Sequence, residues 1–265
     1  MMIHDFDPVL IDFGILQVRW YSLAYIFGIL AGWIYGKVII GKQIVGNNQN
    51  NYLKNFDDLI GYIIIGVVVG GRLGYVIFYD PIFYLKNMSE ILKLWNGGMS
   101  FHGGFVGVII ATYIFSNFKK LNYKIYFDTI CCVAPIGIFL GRIANFINGE
   151  LYGIPTEKPW GIIFPKIDNV MRHPSQIYEA LLEGFVLFIV LNFLATKKIL
   201  GDGLISSLFL ILYGTFRIIS EQFREPDSHI GYIFEYLSMG SLLSIIMIIF
   251  GLLFLSKVIF NEKNR

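Results

Sequence analysis

Charged residues are scarce in this 265-residue chain. They make up 15% of it, where a soluble domain carries about 25%. Hydrophobic residues account for 55%, and the mean hydropathy is +0.63. This composition excludes a globular enzyme with a single anchor and predicts a polytopic membrane protein.

Cysteine is almost absent. Cys131 and Cys132 are adjacent within a hydrophobic run, a spacing that gives neither a disulfide framework nor a metal site. We interpret them as packing residues. His4, His173 and His229 have no ligand spacing either, so we expect no metal and no cofactor.

Basic tracts and a signal sequence are also missing. The net charge of +2, with no basic run, predicts no nucleic-acid partner. The first 14 residues contain three aspartates and no lysine or arginine, which does not match the positive n-region of a signal peptide.

Apolar segments dominate what is present. Seven are long enough to cross a bilayer at ~20 residues per span, the third being short. The predicted fold is therefore an all-α polytopic membrane protein, with spans at 21–41, 59–79, 102–117, 126–146, 176–195, 203–222 and 237–257.

The connections differ in positive charge, which sets the orientation of membrane proteins. One set holds eleven of the 21 lysines and arginines, namely Lys37, Lys42, Lys54, Lys119, Lys120, Lys124, Lys197, Lys198, Lys257, Lys263 and Arg265. The opposite set holds seven, and the remaining three lie within spans. We expect the first set to be cytoplasmic, the N-terminus outside and the C-terminus inside.

Small residues recur every fourth position in four spans, as at Gly66, Gly70 and Gly74. This spacing lets helix backbones approach closely in lipid. The proline-rich connection at about 147–175 predicts a small outer cap inserted into a single transmembrane domain of residues 1–265.

Three arginines lie inside hydrophobic spans: Arg72, Arg142 and Arg217. At ~1.5 Å per residue, each is roughly 20–24 Å from the inner end of its span, in the outer third of a core ~30 Å thick. Arginine at the centre of a span costs at least ~2.5 kcal/mol and is rarely kept without a partner or a task. Since guanidinium binds phosphate through two parallel hydrogen bonds, the three predict a bound lipid phosphate.

Other polar residues share this level. The spacing of Tyr213, Arg217 and Glu221 stacks them on one helix face. Each has a simpler explanation: Arg217 and Glu221 could form a structural ion pair, and His102 alone could be an interface histidine. Because several costly polar residues from different spans lie at one depth, we interpret them together as a functional site. The remaining candidates are Tyr21, Asn145, Asn148 and Glu150, while the role of the in-span pair Glu179 and Glu183 stays open.

Two motifs carry a resemblance. The segment Gly141–Gly153 resembles the signature of bacterial prolipoprotein diacylglyceryl transferases at every fixed position, and Gly97–Gly104 is similar to that family's histidine motif. Segments 70–75, 172–179 and 213–221 match as well. The resemblance covers nearly the whole chain.

The resemblance implies transfer of a diacylglyceryl group from phosphatidylglycerol to the lipobox cysteine of a prolipoprotein signal peptide, with release of glycerol phosphate. It implies a site in the bacterial cytoplasmic (inner) membrane, facing the outer leaflet. Arg142 and Arg217 are then the expected phosphate clamp, with Glu221 holding Arg217. His102 is the candidate base, or else it positions the lipid.

The remaining candidates are expected to bind substrate. Asn145 and Glu150 would form hydrogen bonds with the glycerol head group, and Tyr21 would either close the pocket or orient the phosphate. Arg72, Asn148 and Tyr213 are the other expected substrate-binding residues. A transporter or scramblase would need polar residues through the full membrane depth. An intramembrane protease would need a serine nucleophile motif or paired aspartates, and neither is present.

The charge bias makes a testable prediction about topology. A reporter that is active only outside the cytoplasm should be active when fused near Lys158 and silent when fused near Lys120. The reverse pattern would overturn the orientation.

Overall fold

The computed structural model describes residues 2–14, 17–46, 48–94, 97–197, 200–226, 232–233 and 237–264. Lys198, His229 and Arg265 lie outside the described residues. The first half of the chain contains two short elements before the first span, β1 (Met2–Ile3) and the hairpin of β2 (Val9–Asp12) with β3 (Gln17–Arg19). The helices that follow are α1 (Trp20–Gln43), α2 (Gln49–Phe78), α3 (Pro81–Lys86) and α4 (Phe101–Phe118), with a 3-10 turn at Met88–Leu92.

The second half begins with α5 (Tyr123–Asn148), followed by β4 (Ile162–Ile163) and β5 (Met171–Arg172). Next comes a composite span of α6 (Ser175–Glu179), a π-helical segment (Ala180–Val186) and α7 (Leu187–Lys197). The chain continues with α8 (Leu204–Glu221), β6 (Tyr232–Ile233), β7 (Leu237–Ser238) and α9 (Met239–Lys263).

The helices confirm a polytopic all-α membrane protein. In the described part of the chain, six helices are long and apolar enough to cross a bilayer, and the helix at His102–Phe118 is a shorter apolar one. Helix α2 begins ten residues before the predicted span. Its first turns are polar, which is why hydropathy did not include them, and Asp57 and Asp58 form exposed ion pairs with Lys37 and Lys119.

The chain divides into two compact units. Unit 1 comprises Met1–Gly36 and Asp128–Arg265, and unit 2 comprises Lys37–Phe127. The single domain predicted from the sequence stays a prediction. Unit 1 also contains the 147–175 cap, where β1 pairs with β4 in parallel and β4 pairs with β5 antiparallel.

Unit 2 is built on close contact between α2 and α4. A Cβ added at Gly74 would lie 2.7 Å from the Cα of Gly103, and one added at Gly66 would lie 2.6 Å from the carbonyl oxygen of Gly107. The predicted glycine contact is therefore confirmed for these helices, because no side chain fits between their backbones.

Unit 1 shows the same device between α1 and α5. A Cβ at Gly28 would lie 3.0 Å from the Cα of Gly137, whereas a Cβ at Gly137 or Gly141 would meet nothing within 4 Å. Gly28 of α1 therefore approaches α5 closely at Gly137, but α5 itself has room for a side chain at Gly137 and Gly141.

Helix α8 begins on a carboxylate from another helix. Asp128 is fully buried near the start of α5. It accepts hydrogen bonds from the backbone nitrogens of Gly201 (3.0 Å), Gly203 (3.1 Å) and Ser206 (2.9 Å), and from the Ser206 hydroxyl (2.6 Å). Because unpaired backbone N–H groups and a positive partial charge mark a helix N-terminus, this carboxylate caps α8 and explains its own burial.

The α2–α4 contact generates a prediction with a control on the same helix. Gly107→Ala should destabilise the purified protein, because its Cβ would overlap the carbonyl of Gly66. Gly104→Ala should have little effect, since its nearest neighbour would be 3.6 Å away. Thermal unfolding in detergent measures both, and equal unfolding temperatures would contradict the packing role of Gly107.

Candidate active site

Three spans of unit 1 bring buried charges together. Arg142 lies near the end of α5, Arg217 near the end of α8, and Glu179 and Glu183 at the start of the composite span. The composite span runs in the opposite direction to α5 and α8. Its start therefore lies level with their ends, and all four side chains meet there. The two arginines therefore share a level in unit 1.

Each carboxylate contacts both arginines. Glu179 places Oε2 2.9 Å from Nη1 of Arg142 and Oε1 2.7 Å from Nη1 of Arg217. Glu183 places Oε2 3.2 Å from Nη2 of Arg142 and Oε1 3.4 Å from Nη1 of Arg217. The result is a closed set of four alternating charges.

Further groups extend this set, which we call the ion cluster. Glu221 lies 2.6 Å from Nη2 of Arg217, which places these two side chains in the predicted i, i+4 ion pair. Arg224 Nη1 is 3.7 Å from Oε1 of Glu179, and the Ser220 hydroxyl donates to Oε1 of Glu183 at 3.1 Å. With three arginines and three glutamates, the ion cluster is formally neutral.

Burial makes the pairing obligatory. Glu179 and Glu183 are fully buried, whereas 16% of the Arg142 side chain is exposed. Removing one partner of a buried ion pair typically costs ~3–5 kcal/mol, because the other charge is left uncompensated. Removing the charge of any one member should therefore destabilise the ion cluster.

A second polar group lies where α5 ends. Oε1 of Glu150 accepts hydrogen bonds from Asn145 (2.9 Å) and Asn148 (3.2 Å). Gln176 donates to the backbone carbonyl of Glu150 at 2.7 Å. The structure thus brings together three of the predicted substrate-binding residues.

The two candidate tyrosines have aromatic neighbours within unit 1. Tyr213 is buried on α8 and stacks on Phe209 at 5.7 Å between ring centroids. Tyr21 in the first turn of α1 lies 5.1 Å from the ring of Tyr25. Their roles in binding stay predictions.

The cap is held by Arg172. Its guanidinium contacts Asp168 at 2.6 Å and Glu225 at 3.1 Å, and donates to the carbonyl of Gly153 at 3.0 Å. The hydrogen bonds from Arg172 hold the pKa of Asp168 below its ordinary value. Burial lowers the pKa of His173, and Lys158 acts in the same direction.

Gly153 lies where the cap meets the end of α8. A Cβ there would overlap the carbonyl oxygens of His173 and Phe223 and would lie 2.7 Å from the Cβ of His173. Only glycine fits between these two backbone segments, so this position of the signature motif has a packing explanation.

Arg72 in unit 2 contacts a loop. Its Nε donates to the carbonyl of Ile91 at 2.8 Å. The terminal nitrogens donate to the carbonyls of Glu90 (2.6 Å), Lys93 (3.1 Å), Gly98 (3.1 Å) and Gly97. An arginine has five N–H donors, and all five are used here. These contacts disfavour the predicted phosphate contact of Arg72, which would require it to release part of the loop.

This loop leads directly to His102. Gly97 and Gly98 adopt positive φ values of 78° and 81°, which glycine tolerates without strain. Ser100 then caps α4 by accepting a hydrogen bond from the backbone nitrogen of Gly103 at 3.3 Å. His102 occupies the first turn of α4 and its side chain is exposed.

The sequence does not predict the central carboxylates. It leaves the role of Glu179 and Glu183 open and gives no site role to Ser220 or Arg224. A usable signal was present, since two acidic residues at i, i+4 inside a span demand partners. Among the described residues, no three His, Cys, Asp or Glu side chains are grouped to hold a metal ion.

Comparison with known proteins identifies the class. A profile of the family "prolipoprotein diacylglyceryl transferase" matches residues 8–257. The chain is similar to proteins named phosphatidylglycerol–prolipoprotein diacylglyceryl transferase. In Rickettsia bellii the identity is 50% over 259 residues (97% of each chain), and in Rickettsia felis it is 50% over 256 residues (95% of this chain, 96% of the relative).

A third relative, from Rickettsia typhi, is 47% identical over 253 residues, which is 95% of this chain and 96% of the relative. The site described above therefore belongs to a membrane-embedded transferase. The chain is a member of the prolipoprotein diacylglyceryl transferase family, which acts in lipoprotein maturation.

Proposed function

We propose that this transferase moves the diacylglyceryl group of phosphatidylglycerol to the thiol of a lipobox cysteine in a prolipoprotein signal peptide. The names of its relatives supply both substrate classes. The observation that carries the assignment of the site is the ion cluster, which holds two arginines at one level of unit 1.

The reaction explains the need for arginines. The cysteine sulfur attacks the glyceryl carbon that carries the phosphate, the C–S bond forms, and the C–O bond to the phosphate breaks. The electron pair of that bond stays on the departing glycerol phosphate, and the thiol proton is released to a base. Arg142 and Arg217 would stabilise the growing phosphate charge; removing such a preplaced donor typically costs ~2.7–4 kcal/mol.

The remaining residues would bind and orient the lipid. Asn145 and Asn148 both donate hydrogen bonds to Glu150, and the three side chains would offer donors and acceptors to a glycerol head group. Tyr21 and Tyr213 would complete the pocket, and Glu221 would hold Arg217. Arg72 fits better as a support for the loop before His102 than as a lipid ligand.

The membrane placement is part of the proposal. The charge bias of the connections supports a bacterial cytoplasmic membrane protein with its N-terminus and cap outside. The end of α5 continues into the cap, and just after α8 the carbonyl of Phe223 accepts a hydrogen bond from the backbone nitrogen of Ile154 in the cap. With the cap outside, the site would face the outer leaflet.

The first test of this function is reconstitution with radiolabelled phosphatidylglycerol and a lipobox peptide. The parent protein should label the peptide, and Arg142→Ala should abolish transfer while still inserting into membranes. Arg142→Lys should recover little activity, because an ammonium group lacks the bidentate fork. Arg19→Ala, an exposed arginine outside the ion cluster, is the control; near-normal turnover by Arg142→Ala would refute the phosphate clamp.

The second test separates two roles for His102. If His102 accepts the thiol proton, His102→Gln should reduce turnover strongly, and raising the pH should partly restore it as more substrate thiolate forms. If His102 positions the lipid, binding of phosphatidylglycerol should weaken without recovery at high pH. A pH–rate profile beside the parent decides, and full activity across pH would exclude both roles.

A further inference from the structure

We infer that Glu179 and Glu183 are positioning residues that hold Arg142 and Arg217 as one preset pair for the phosphate of the lipid. The inference rests on the phosphate role proposed for these arginines. It assigns a task to two in-span carboxylates that the reaction itself does not use.

The contact pattern is the first support. Each glutamate directs Oε2 at Arg142 and Oε1 at Arg217. The two terminal nitrogens of Arg142 thus face different carboxylates, at 2.9 and 3.2 Å. This arrangement fixes both the place of the guanidinium and the rotation of its plane, which a single ion pair would leave free.

Local helix geometry is the second support. Ala180–Val186 is π-helical, and such segments occur mostly where a function requires them. Gly184 lies within this segment, where an added Cβ would be 2.6 Å from the Cβ of Phe139, one turn before Arg142. Because the two backbones lie this close, the side chains of Glu179 and Glu183 can reach Arg142.

Burial separates positioning from direct catalysis. The two carboxylates are fully buried, whereas Arg142 retains 16% exposure. Of the four side chains, that of Arg142 is the most exposed, so a ligand would reach this arginine before either glutamate. A phosphate that reaches Arg142 would meet a guanidinium group that is paired with Glu179 and Glu183 and whose orientation these two carboxylates already fix.

The test compares Glu183→Gln, Glu179→Gln and Glu183→Asp with Glu157→Gln, an exposed glutamate of the cap that serves as the control. The two in-span Gln variants should lose at least tenfold in kcat/KM. Because a buried arginine left without its partner can also unfold the protein, Glu183→Asp is decisive. It keeps the charge but withdraws the carboxylate by one methylene, so its unfolding temperature should stay near that of the parent while its kcat falls severalfold.

A second readout tests coupling to the arginine. In the parent background, Arg142→Lys should reduce kcat/KM strongly; in the Glu183→Asp background the same substitution should cost much less, because the guanidinium is already misplaced. Multiplicative losses, or a fully active Glu183→Asp protein, would overturn the inference. If the parent and Glu157→Gln label the peptide while the in-span variants remain active, only this inference fails. If the parent itself transfers nothing, the proposed function fails and takes the inference with it.

Discussion

The pairing of buried guanidinium and carboxylate groups constrains the rest of unit 1. Charges at this depth persist only when each has a partner, and here the partners come from three different spans. Rotating any one span would strand a charge. Three contacts hold the spans in this arrangement. They are the hydrogen bonds of Asp128 at the start of α8, the close approach of Gly184 to Phe139, and the bond of Arg172 to Gly153 in the 147–175 cap.

Local patterns in the sequence were sufficient for part of the architecture. Hydropathy located the spans, and glycine spacing predicted that helices such as α2 and α4 can be approached closely, because both depend on neighbours within one helix; which helices meet came only from the structure. The pair of Arg217 and Glu221 was accessible for the same reason. The partnership of Glu179 and Glu183 with Arg142 was not, since it depends on how separate spans are rotated against one another.

Arg72 and Arg142 show why depth alone does not assign a role. Both are arginines within apolar helices. The N–H groups of Arg72, however, all donate to backbone carbonyls of one loop. Arg142 instead directs its terminal nitrogens at two carboxylates and stays partly exposed. The difference arises because residues 90–93 and 97–98 place their carbonyls against Arg72 of α2, a tertiary contact that hydropathy along the chain does not predict.

The order of the charges along the chain also shapes how unit 1 can assemble during synthesis. Arg142 and Glu183 are separated by 41 residues, which a ribosome needs about 2–8 s to add at ~5–20 residues per second. For most of that interval, until Glu179 is added, the nascent helix α5 carries a cation whose ion-pair partners have not yet been synthesised. The buried ion pairs of Arg142 can therefore form only after the start of the composite span has been synthesised, so unit 1 cannot complete its ion cluster helix by helix.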